Sequence, residues 1–251
     1  MEPALSPTRR DEDWRYSDVE ALASLDQDTF ENWRDIDVAA GESVCESIVI
    51  DAASGTDLRR LRVRIGKGGR CELFAVNAGG RLGRVEIVVR LATGAHFEFG
   101  GVTLGGGDTT REFVTRVAHG EPGATSNQTV RSVHWDSGTG NFLGRIDVVR
   151  DAQKTNAGQD FKALLLNKGA SANAVPQLEI FADDVKCNHG ATVGQLDEAA
   201  RFYMAARGIP PELSQKLLIR AFLADAFLAL GDEAERERLL ELALDALGER
   251  A

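Results

Sequence analysis

From Val44 to His189 the chain reads as short alternating strands broken by Gly, Asn and Asp, with no helical pattern between them long enough to form a crossover. Leu61-Arg62-Val63-Arg64-Ile65 puts apolar residues on one side and charges on the other, the period-two mark of a half-buried strand. Similar runs lie at Cys71–Val76, Val85–Leu91, His96–Phe99, Glu112–Val117, Thr129–Trp135, Arg145–Val149 and Leu178–Phe181. Most of their starts recur roughly every ten to sixteen residues, with no helical pattern long enough for the crossovers of an α/β fold. A sandwich, a barrel or a parallel β-helix each produces such a pattern. Two features lean toward the β-helix: no Asn-Gly or Asp-Gly hairpin signal occurs, and polar turn clusters such as Lys154–Gln159 do. Twenty-six glycines suit many tight turns and exclude an all-helical protein.

The chemistry concentrates where this pattern ends. Phe181 to Glu198 packs Asp183, Asp184, Cys187 and His189 ahead of a change to helical periodicity. Residues two apart on an extended strand point to the same side, so Cys187 and His189 can offer sulfur and nitrogen to one point. Those donors suit iron, zinc or copper better than magnesium or calcium. Two ligands do not complete a metal site, so the remainder must come from elsewhere, including another chain. Taken alone, the residues leave a competing reading open: a small apolar thiol and a hydrogen-bonded structural histidine.

The same segment carries a family likeness. Ala182 to Glu198, with Phe202 to Ile209 after it, resembles the C-terminal signature of the SufB/SufD family of iron–sulfur cluster assembly proteins. Gly144–Ala157 and Leu164–Asn167 resemble that family's central strands, and Trp14–Val19 resembles the entry segment of its SufD-type members. The likeness covers roughly residues 110 to 230, far more than a short motif. It implies a right-handed parallel β-helix with a C-terminal helical region. It also implies an accessory scaffold rather than an enzyme, paired with a SufB-type protein and engaged through its C-terminal helices by a SufC-type ATPase. His189 would then lie at the interface with the partner and, with Cys187, help hold a transient cluster shared between the chains. SufB-type members place a cysteine where this chain has Phe161, and a glutamate where it has Gly190. Both departures resemble the SufD branch and imply that the chain holds no complete cluster alone.

Other readings carry less. The net charge of −10, with Lys and Arg dispersed, argues against nucleic-acid binding. Cys45, Cys71 and Cys187 are odd in number and lack CxxC spacing, which argues against a disulfide framework or a self-contained zinc site. No apolar run reaches membrane-spanning length and no secretory leader is legible, so the cytoplasm is the expected compartment. Asp183 and Asp184 are adjacent and face opposite ways on a strand, a poor acid–base pair. His134, Asp136 and Ser137 supply the residue types of a triad, but triads are defined by geometry. His96 and His119 have no evident partners. The glycine clusters at 66–70 and 100–108 lack the phosphate-loop pattern and read as turns. Two further functions remain: a homodimeric SufB/SufD-like scaffold, and a β-helical enzyme acting on an acidic polysaccharide.

Three regions are expected: an N-terminal segment with a short helix over 1–43, a β-helix core over 44–193, and a helical domain over 194–251. The last divides into helices at Leu196–Ala206, Pro210–Leu230 and around Leu239–Leu247, separated by Gly208 and Gly231-Asp232. The second is apolar nearly all round and needs cover from neighbouring helices or a partner.

Overall fold

A computed structural model describes residues 7–51 and 55–248. Twelve strands follow one another: β1 Arg34–Val38, β2 Ser43–Ile50, β3 Thr56–Ile65, β4 Arg70–Asn77, β5 Leu82–Leu91 and β6 His96–Gly105, then β7 Thr110–His119, β8 Thr125–His134, β9 Thr139–Val148, β10 Asn156–Leu165, β11 Ser171–Ile180 and β12 Lys186–Gly194. The odd strands form one six-stranded sheet and the even strands another, and every pairing is parallel. The chain therefore alternates between two sheets, turn after turn, as a parallel β-solenoid of about five turns. Regular pairing begins at Arg34.

Pairing offsets run from 26 residues (Thr56 opposite Leu82) to 32 (Thr139 opposite Ser171). Turn length absorbs that variation while the strands keep register, which is why no strict repeat is visible. One corner shows how. Gly41, Gly68, Gly94 and Gly123 all have positive φ, and each amide donates to the corresponding turn of the next coil. The fifth member of this column is Lys154, also left-handed at φ 64°, a conformation that strains a side-chain-bearing residue by about 1–2 kcal/mol. Its amide donates to Asp184 O at 2.7 Å and its ammonium pairs with the Asp184 carboxylate. Asp184 thus organises a turn. The Lys154–Gln159 cluster splits accordingly: the turn ends at Thr155 and β10 begins at Asn156.

Between the sheets the inward residues stack in ladders. Val85, Phe113 and Phe142 lie in register, and Phe99 meets Phe113 edge-on at 5.2 Å. Phe142 stacks on Phe161 at 5.6 Å, with both rings buried. Mid-strand glycines permit close approach rather than turning. A Cβ on Gly101 would lie 2.7 Å from the Phe113 ring, and one on Gly100 would lie 2.0 Å from Ala226 O. The 100–108 cluster therefore corrects the turn reading: only its end, at Gly106–Asp108, leaves the strand.

The two outer faces are covered differently. The odd-strand sheet carries the N-terminal segment with α1 Val19–Leu22, capped by the Asp18 carboxylate on the Ala21 amide, and α2 Gln27–Glu31. There Trp14 covers the fully buried Arg84, which pairs with Glu112 at 2.8 Å, and Ser17 donates to the same carboxylate. The even-strand sheet carries α4 Pro211–Ala224, continued by a 3-10 turn at Asp225–Phe227, and α5 Glu233–Leu247. Ile219, Leu223, Phe227, Leu240 and Leu244 pack on Phe74, Val76, Val102, Leu104 and Val133. The nearly all-apolar second helix is thus covered partly by the solenoid and partly by α5, while Leu213, Leu217 and Leu228 stay exposed. α3 Glu198–Ala205 caps on Asp197 and buries no residue.

Candidate functional site

β12 is the last strand of the even sheet; it pairs with β10 on one side, and among the described residues its other edge pairs with no strand. Cys187 lies in register with Ala157 and His189 with Gln159. Both occupy the inward register, since Ala157 and Phe161 on the same parity of β10 belong to the interior and Cys187 packs against that core. The shared side foreseen from their spacing is therefore the open mouth of the solenoid. Cys187 is half-buried and His189 is exposed, because among the described residues no further coil covers them.

Burial pushes the Cys187 thiol above its ordinary range, and a backbone hydrogen bond at Ala157 works partly against this. At neutral pH Cys187 is a thiol, so ligation requires loss of its proton. Cys71 is buried and pushed up to about 12, and burial raises Cys45 as well. Among the described residues, no three His, Cys, Asp or Glu side chains converge as a metal site. Cys187 and His189 supply two donors at an edge, a half-site in chemical terms. Phe161 sits deep in the interior, and Gly190, which follows His189, bears no ligand.

The other sequence candidates are placed elsewhere. His134 is buried, with its Nδ1 3.1 Å from Gly105 O and its Nε2 3.3 Å from Thr103 Oγ1, and burial lowers it to about 3. It makes no triad with Asp136, which stands exposed in a left-handed turn. His119 is buried against Ser126 Oγ at 2.9 Å and lowered to about 4 by burial. His96 lies 2.7 Å from Thr125 Oγ1. All three are structural. Asp183 and Asp184 are both exposed, the latter committed to its turn.

Two features escaped the sequence. Arg131, 2% exposed, joins solenoid to helices: its guanidinium bonds Asp225 at 2.9 Å, pairs with Asp160, and donates to Asp160 O at 3.1 Å. Its partners lie 29 and 94 residues away, so no local pattern signals them. Gln128 and Gln159 are buried in register with each other, inside the solenoid directly behind His189. Here a signal existed: Gln159 interrupts the inward series Ala157, Phe161, Ala163. Beside the solenoid, α3 and α4 leave Phe202 (77%), Tyr203 (57%), Leu213 (47%) and Leu217 (42%) exposed. Such apolar surface is typical of a protein contact.

The chain is similar to known proteins over much of its length. SufD of Escherichia coli is 40% identical over 122 residues, 49% of this chain and 29% of that protein. The chloroplastic protein ABCI7 of Arabidopsis thaliana is 48% identical over 90 residues, 36% of the chain and 19% of the relative. SufD of Bacillus subtilis is 32% identical over 133 residues, 47% of the chain and 30% of the relative. The chain thus spans less than a third of the length of these relatives. Residues 19–222 match the family model described as the SUF system FeS cluster assembly, SufBD core domain. That match takes in both sheets and β12, and it sets aside the polysaccharide reading. A two-sheet parallel solenoid ending in a Cys187/His189 edge is here the core of a SufD-like protein, and the chain belongs to the SufBD core family of iron–sulfur cluster assembly.

Proposed function

We propose that the chain is an accessory scaffold subunit that pairs through β12 with a SufB-type protein and lends His189, with Cys187 beside it, to a nascent cluster held across the interface. The observation that carries this is the unpaired edge of β12, with both donors on its inward register at the solenoid mouth. An exposed strand edge presents a row of free amides and carbonyls that a partner strand can satisfy. An iron–sulfur cluster is commonly held by about four ligands, so two donors from this chain call for others from its partner. The cluster is cargo on this reading, and the chain's role is assembly rather than turnover.

The apolar residues left exposed on α3 and α4 support a second contact, with a SufC-type ATPase. The proposed compartment is the cytoplasm; one relative is described as chloroplastic, and among the described residues no helix is long and apolar enough to cross a membrane.

The test is co-expression with SufB- and SufC-type proteins, comparing wild type with His189→Ala. The complex should form in both cases, with cluster yield falling at least severalfold in the variant, and Cys187→Ser should have the smaller effect. An undiminished yield from His189→Ala removes the ligand role. Self-association in place of the mixed complex favours the homodimeric scaffold, in which a second copy covers the same edge.

A further inference from the structure

Four polar atoms inside the solenoid are unexplained by its folding. Gln128 is fully buried and Gln159 is 2% exposed, yet neither amide oxygen or nitrogen of either residue has a hydrogen-bond partner among the described residues. An unmet buried polar group is destabilising, and native structures rarely keep one without a reason. The space for Gln159 is also built. A Cβ on Gly144, across the interior on β9, would lie 2.4 Å from Gln159 Oε1 and 2.6 Å from the Phe142 ring. Only glycine there leaves room for the amide. The fold thus accommodates a polar group that no described neighbour satisfies.

Register shows what that group faces. Gln128, Gln159 and His189 occupy successive rungs of one inward ladder on β8, β10 and β12. Adjacent parallel strands lie about 4.8 Å apart, and stacked amides at that spacing can pass hydrogen bonds from rung to rung. The rung beyond Gln159 is an imidazole that no hydrogen bond or ion pair holds among the described residues.

We propose that Gln159 is the positioning residue for His189. The structure shows neither bond formed; with the Gln159 side chain turned toward the mouth, its amide oxygen accepts the imidazole N–H nearest the interior and its own NH2 donates back to the Gln128 oxygen. The hydrogen bond fixes the tautomer and leaves the other ring nitrogen unprotonated and directed out of the mouth, as a ligand must be. This ladder gives partners to three of the four amide atoms, all but the Gln128 NH2, and orients the histidine in one arrangement.

This rests on the reading of His189 as a ligand, but its test needs neither partner nor iron. The chain has four histidines, so long-range 1H–15N spectra of the labelled ring nitrogens are tractable, with His189→Ala giving the assignment. In wild type one His189 tautomer should dominate. Gln159→Met, similar in size but without the amide, should reduce that preference by about fivefold to tenfold, the effect of one hydrogen bond. Gln159→Glu, which restores an accepting oxygen, should recover it. Unchanged His189 spectra in a folded Gln159→Met protein overturn the proposal. If that variant does not fold, the reciprocal measurement decides: His189→Ala, at an exposed position, should shift the Gln159 side-chain amide signals, and unmoved signals overturn the proposal equally. A failed assembly assay with an intact tautomer preference would sink the ligand reading while leaving the hydrogen bond standing.

Discussion

β6 and β12 lie in the same sheet, three coils apart, and have opposite surroundings. In β6 every residue from Phe97 to Gly105 is buried, because strands flank both edges, the opposing sheet covers the inner face and α4–α5 cover the outer one. In β12 no residue is buried, and the free edge carries the Cys187 and His189 register. The backbone conformation is the same in both. What differs is the number of neighbours, and with it what a side chain can do: in the middle it packs, and at the end it remains available to bind.

The comparison can be broken most forcefully from the middle. Phe142→Ala removes a buried ring stacked on Phe161 and should cost about 3–5 kcal/mol in denaturant unfolding. A loss below about 1 kcal/mol would mean the interior is not packed as described.

Acid probes the same region. His119 and His134 are held neutral by burial, at about 4 and about 3 against an ordinary 6.5. Between those values the unfolded chain binds more protons, so their contribution is complete above pH 6.5 and is lost as pH falls toward 4 and then 3. The loss should be on the order of a few kcal/mol, and His119→Met should flatten the slope of stability between pH 6.5 and 4. An identical slope in the variant would exclude His119 as its source.

Arg131→Met tests the joint between solenoid and helices. It removes bonds to Asp160 and Asp225, two carboxylates that stay partly exposed, so about 1–3 kcal/mol is expected. Limited proteolysis should show α4 and α5 cut faster while the strands stay protected. Equal protection of helices and strands would show that apolar packing alone holds the joint.

The smallest effect belongs to the end strand. His189→Ala should change stability by about 1 kcal/mol at most, since the position is exposed and loses no more than one hydrogen bond. A loss of several kcal/mol would make it a structural histidine and erase the contrast with β6.

Much of this was legible before folding. Alternation along Leu61–Ile65 and its counterparts determined the strands, and that Cys187 and His189 share one side followed from period two. These are local properties, fixed by residues a few positions apart. Periodicity did not choose between sandwich, barrel and solenoid, because a strand alternates in the same way whatever lies beside it. Nor could it tell that Gly100 and Gly101 allow close approach within a strand, that Arg131 reaches Asp225, or that Gln159 stands behind His189. Those facts depend on which coil stacks on which, and on contacts between residues 26 or more positions apart, so only the tertiary structure decided them.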